Sequence, residues 1–257
     1  MISKFLLLCA VGAAGVTSLS ASTVTFMTAS GATDTAGDAV AATATVTTNT
    51  NSVTVVLSNT QLNFKDAGQL LTDFFFTLGS SFSGLGSSVT PTSAPLITVG
   101  AGGTVTSSAA ALLSWGLSEC SAVTLNSSTC TGTGNIIHIN NLAGGTAGPN
   151  QSIIGPAGAG GVYTNANGSI AGNGPHNPFI NGSATFTFAV TGVSSTTTIT
   201  AASFSFGTVA GDNVPGTPGG GGGGGGETPE PGTMFLTFAG AGFVALGAVR
   251  RKSRRSV

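Results

Sequence analysis

"ATATVTTNTNSVTVVLSN", residues 42–59, decides the fold class. Ala42, Ala44 and Val46 recur at every second position, and so do Val53, Val55 and Leu57 after them. A period of two puts each set on one face of a pleated strand. Threonine and valine, with branched Cβ atoms, suit that conformation. Between the two runs stand Asn49, Thr50 and Asn51, and asparagine tolerates the left-handed backbone that a tight turn requires. The stretch is therefore expected to form a β-hairpin with one apolar face.

The same signal recurs outward from it. Residues 72–79, "TDFFFTLG", form an expected strand of aromatic weight, and residues 103–110 and 135–140 give weaker ones. Residues 183–190, "SATFTFAV", place Phe186, Phe188 and Val190 on one side, and residues 196–207 return with Phe204 and Phe206. Short strands divided by Gly, Asn and Ser turns, with almost no helical period, predict an all-β antiparallel sandwich over residues 22–211. The expected core includes Val53, Val55, Leu57, Phe186, Phe188 and Phe204. Residues 142–178, rich in Gly and Asn, are expected to be one long irregular excursion.

Charge is scarce, at 6% of residues, and unevenly placed. Between residues 22 and 228 Lys65 is the sole basic residue against seven acids, a net −6. Such a body has nothing with which to neutralise phosphates, which argues against nucleic-acid binding.

Both ends carry targeting signals. "MISKFLLLCAVGAAGVTSLSAS" has one early positive charge, an apolar stretch and then small residues. Residues 1–21 are thus predicted to be a signal peptide with a short apolar helix, cut by signal peptidase near Ser20 or Ala21. Lipidation at Cys9 is not expected, because Leu8 stands where a small residue is needed. At the other end residues 232–249 run 18 positions without a charge. A helix of that length measures about 27 Å, enough for a thin bilayer. Arg250, Arg251, Lys252, Arg254 and Arg255 follow and would stop translocation, leaving the body outside. Residues 212–228, with eight consecutive glycines, are expected to be a flexible linker.

Ahead of the apolar span stands Pro229-Glu230-Pro231. This motif, the span and the basic tail together resemble the PEP-CTERM sorting signal of Gram-negative bacteria, over roughly the last 30 residues. The resemblance implies that residues 229–257 are recognised by an exosortase, a membrane-embedded transpeptidase-like protease, which cuts near the motif and releases or transfers the protein. Two prolines hold the motif extended and without backbone donors, where a protease can grip it. Pieces of the body, among them "SVTVVLSNT" (52–60), "SWGL" (114–117) and "SFSFGT" (203–208), are similar to the mature parts of certain PEP-CTERM proteins. The resemblance implies a cell-surface or matrix protein associated with exopolysaccharide or biofilm, and it supplies no catalytic residue.

The remaining chemistry is thin. Cys120 and Cys130, ten apart, are expected to pair in an oxidising compartment. His138 alternates with Ile137 and Ile139 and is expected to face solvent; His176 sits in a proline-bracketed loop. No G-x-S-x-G elbow occurs, and a non-enzyme is expected. Asp34 and Asp38 could help to bind Ca²⁺, but the regular loop pattern is missing, so neither metal nor cofactor is assigned. Asp66 and Asp73 could form an acid/base pair only if the fold brought them together. The competing reading is a carbohydrate-binding module on a membrane tether, with Trp115 and Tyr163 as the candidate ligand contacts because each joins a flat face to a polar edge.

Overall fold

The structure, a computed structural model, describes residues 21–124, 129–142, 148–209 and 211–219. The expected signal peptide up to residue 20, the Pro-Glu-Pro motif, the apolar span and the basic tail lie outside the described residues. Among the described residues no helix is long and apolar enough to cross a membrane.

Fifteen strands follow one another among those residues. The first four are β1 (Ser22–Thr28), β2 (Ala42–Asn49), β3 (Ser52–Asn59) and β4 (Leu71–Leu78). Then come β5 (Ser83–Leu85), β6 (Ser88–Val89), β7 (Leu96–Val99) and β8 (Val105–Ser107). The long pair β9 (Trp115–Thr124) and β10 (Thr129–Asn140) precedes β11 (Ile153–Ile154) and β12 (Phe179–Asn181). Last are β13 (Ser183–Thr191), β14 (Ile199–Phe206) and β15 (Asp212–Pro218). Among the described residues helix is confined to single 3₁₀ turns such as Ala67–Gln69.

The opening hairpin forms as its pattern dictates. β2 and β3 pair antiparallel from Ala42↔Asn59 to Asn49↔Ser52, and Asn51 turns the chain at φ +55°. Ala42, Ala44, Val46, Val53, Val55 and Leu57 are all buried. β13 adds to the free edge of β3, bringing Phe186 and Phe188 to the same face. The hydrogen-bonded path runs β5-β13-β3-β2-β1-β15-β14-β4, and there it forks. The far edge of β4 is shared: Asp73 to Thr77 pair with β10, while Leu71 pairs with β11. One branch continues through β10 to β9 and β6, the other through β11, β12, β7 and β8. The β11–β12 pair is parallel, so the sheet is mixed.

Two cores result, and the second branch lies between them, with Leu96, Ile153 and Ile180 in the larger and Ile97, Ile154 and Phe179 in the smaller. In the larger, the β2–β3–β13 face meets Phe74, Phe76, Phe204, Phe206, Trp115, Ile137 and Ile139. Trp115 of β9 reaches Phe186 of β13, so the sheet curls until distant strands touch. The smaller joins Phe64, Leu70, Ile97, Val99, Ile154, Tyr163, Ile170 and Phe179. The Gly- and Asn-rich excursion contributes Ile154, Tyr163 and Ile170 to this second core.

The expected end of the domain at residue 211 is too early. β15 occupies residues 212–218 and lies between β14 and β1. Its proline content argues against an interior strand, yet the two ladders overlap only at Gly216: residues 212–216 pair with β14 and 216–218 with β1. Pro215 and Pro218 therefore each face a partner on one side alone, as an edge proline does. At the crossover a Cβ on Gly216 would stand 3.1 Å from Phe204 and 3.2 Å from the Ala202 carbonyl oxygen.

Candidate functional site

Carboxylates that the sequence scatters are gathered at one place. The β1–β2 connection makes a small bridge, Thr33 opposite Ala39. Inside it the Asp34 N–H donates to the Asp38 carbonyl at 2.9 Å, and the Asp38 N–H donates to Asp34 Oδ1 at 2.8 Å. This places Asp34 and Asp38 side by side. Asp66 arrives from the segment before β4, where it caps the 3₁₀ turn by accepting from the Gly68 N–H at 2.9 Å. One ligand atom from each of Asp34, Asp38 and Asp66 lies within 4.8 Å of the others.

Several ties hold the two segments together. Gln69, buried, donates from Nε2 to the Ala39 carbonyl at 2.7 Å and accepts from the Lys65 N–H at 2.7 Å. The excursion clasps the second segment from behind, with the Asn167 N–H on the Lys65 carbonyl and Ser169 Oγ accepting from the Ala67 N–H. From β15, Asp212 Oδ2 accepts from the Thr35 N–H and hydroxyl at 2.9 and 3.2 Å. The site is thus fixed from three parts of the chain.

Its electrostatics are unbalanced. Lys65 Nζ stands 2.9 Å from both Asp38 oxygens, on a side chain 57% exposed. That ion pair holds the Lys65 ammonium above its ordinary range. Asp34 is only 5% exposed, and its Oδ2 is buried without a hydrogen-bond partner. Burial pushes the Asp34 carboxyl above 3.8; the charges of Asp212 and Asp38 push the same way, against the hydrogen bond from the Asp38 backbone.

The two expected ligand-contact rings belong to the interior, which corrects that assignment. Trp115 is fully buried against Phe186, with ring centroids 5.1 Å apart. Tyr163 is 1% exposed, packs edge-on against Phe64 and donates its hydroxyl to the Gly155 carbonyl at 2.6 Å. That burial drives the Tyr163 hydroxyl far above its ordinary pKa. Neither ring has a face to offer a sugar.

His138 is likewise not at the surface. Ile137 and Ile139 enter the larger core, as the alternation requires, but the other side of the sheet is closed here too: β4 is buried at nearly every position. His138 stacks on Phe75 at 3.9 Å, and its Nε2 lies 3.8 Å from Asp73 Oδ2, with both side chains buried. Asp73 thus faces His138 rather than Asp66, which separates the carboxylates considered as an acid/base pair. His176 donates from Nδ1 to the Ser169 carbonyl at 2.7 Å and closes a loop. Cys120 and Cys130 are joined in a disulfide across the β9–β10 pair, with Cα atoms 5.2 Å apart. A ring that small contributes about 2–3 kcal/mol by loop-closure entropy.

Sequence reasoning noticed Asp34 and Asp38 but missed Asp66 and Asp212 as their neighbours, since Asp66 comes from the segment before β4 and Asp212 from β15. The available signal was local density: among few acids, "TDTAGDA" (33–39) and "FKDAG" (64–68) hold three.

No protein-family model matches the chain, and neither the curated proteins nor the solved structures give a match to it.

Proposed function

We propose that this is an exported, non-catalytic surface or extracellular-matrix protein, delivered by a C-terminal PEP-CTERM-like signal and associated with exopolysaccharide or biofilm. The observation that carries the reading is the order Pro229-Glu230-Pro231, an uncharged span over 232–249 and the basic cluster from Arg250. Signal peptidase would act at the N-terminus and an exosortase-type protease near the motif, so the membrane holds a precursor and the cell surface or medium the product. The β domain is read as a two-layer sandwich; the contact of Trp115 with Phe186 supports this, because it needs distant parts of the sheet face to face.

The burial of Trp115 and Tyr163 counts against the carbohydrate-binding module, whose affinity would come from exposed rings. The test is a chain tagged at its C-terminus, expressed with and without the matching sorting enzyme. The reading expects tag loss only with the enzyme. Retention in both hosts would leave an ordinary anchored protein.

A further inference from the structure

We propose that Asp34, Asp38 and Asp66 form a calcium-binding site beside Gly68. Its centre is Asp34 Oδ2, an oxygen on a side chain 95% withdrawn from solvent and without any hydrogen-bond partner. Withdrawing a carboxylate oxygen from water costs several kcal/mol unless something replaces that water. Lys65 does not replace it, since both of its short contacts go to Asp38. The unpartnered oxygen is aimed into the cluster. A Cβ on residue 68 would stand 2.7 Å from Asp34 Oδ2 and 3.0 Å from Asp66 Oδ1, so the two oxygens converge on a space kept open by the absence of a side chain there.

The dimensions select the cation. Ligand oxygens within 4.8 Å of one another can share an ion bonded at about 2.4 Å, the calcium distance. Magnesium demands bonds of about 2.0–2.1 Å in a near-ideal octahedron, and a loosely spaced set tied to two loops does not provide it. Three carboxylates from hard oxygen donors, completed by water or carbonyl groups, match the calcium coordination habit. Lys65, exposed on a long stem, can leave Asp38 when the ion arrives. Bound calcium would pin the β1–β2 connection to the segment that enters β4, two loops also linked by Gln69 and Ala39.

The mature exported chain, stripped with chelator, is titrated with calcium chloride by isothermal calorimetry, and its thermal unfolding is followed in parallel. The expected half-saturation lies between about 0.1 and 1 mM, as in extracellular calcium modules, with a rise in Tm and at least tenfold weaker magnesium binding. Asp34→Asn and Asp66→Asn should each lose the calcium response by at least tenfold, while Glu119→Gln, away from the cluster, retains it. In chelator Asp34→Asn should melt at or above the wild-type temperature, because it removes an unpaired buried charge. No heat and no Tm rise with calcium would overturn the proposal. So would an equal response in Asp66→Asn and Glu119→Gln, which keeps the test decisive even if Asp34→Asn folds poorly.

Discussion

Trp115 of β9 and Phe186 of β13 pack with ring centroids 5.1 Å apart, although their strands stand far from each other along the hydrogen-bonded path. This contact closes the larger core, because it joins the β10 branch to the hairpin end of the sheet. Trp115→Ala should therefore cost about 3–5 kcal/mol, the usual range for emptying a large core site. As the chain has one tryptophan, its emission reports this site alone. It should be blue-shifted, shielded from acrylamide and unchanged by added polysaccharide. A red-shifted emission that sugars quench would return the ring to the surface and revive the carbohydrate-binding reading.

The boundary of the domain is testable by truncation. β15 lies between β1 and β14, buries Val214 and carries the Asp212 carboxylate that holds Thr35. A chain ending at residue 211 would bare the edges of two strands that are otherwise paired. It should lose cooperative unfolding and aggregate, whereas a chain ending at 219 should melt like the mature protein. Equal melting of the two would mean that β15 is dispensable.

These elements show where sequence reading succeeds and where it fails. The 42–59 hairpin was legible because pattern, turn and composition agree, and its apolar face is buried as expected. β15 was not, because "VPGTP" has the residues of a linker; only the switch of partners at Gly216 makes them acceptable in a strand. His138 was misplaced for a different reason. Alternation predicts one buried and one wet face, and it fails where both faces of a sheet are covered. The acidic site was half visible, since Asp34 and Asp38 are neighbours in sequence and Asp66 is a neighbour only in space.

Asp34 also sets a pH dependence with a defined sign. It is faced by Asp38 on its own loop, Lys65 and Asp66 from the segment before β4, and Asp212 from β15. Burial raises its folded pKa above 3.8, so without calcium its contribution to stability is full below 3.8 and is lost as pH rises through the raised value. In chelator the stability of wild type relative to Asp34→Asn should fall as pH rises above 3.8, by at most about 1.4 kcal/mol per pH unit for one proton. Saturating calcium should reverse that slope, because the ion binds the ionised carboxylate. Denaturant melts of both proteins across that range measure it. A wild-type curve parallel to Asp34→Asn throughout would show that the Asp34 carboxyl is not perturbed.

The proposed C-terminal sorting signal predicts that recognition and membrane stopping separate. The prolines at 229 and 231 lie ahead of the uncharged span, and the five basic residues lie behind it. Replacing both prolines with alanine frees φ and restores two backbone donors without touching hydrophobicity or charge. Insertion should therefore proceed, and the uncut precursor should accumulate in the inner membrane with its C-terminal tag attached. Neutralising Arg250, Arg251, Lys252, Arg254 and Arg255 should act on the other step, since positive charge beside a span fixes its cytoplasmic end. That variant should leave the inner-membrane fraction or invert, with the motif intact. Fractionation with tag detection, in a host carrying the matching sorting enzyme, distinguishes the two. If the proline variant loses its tag as fully as wild type, the motif is not what the protease reads.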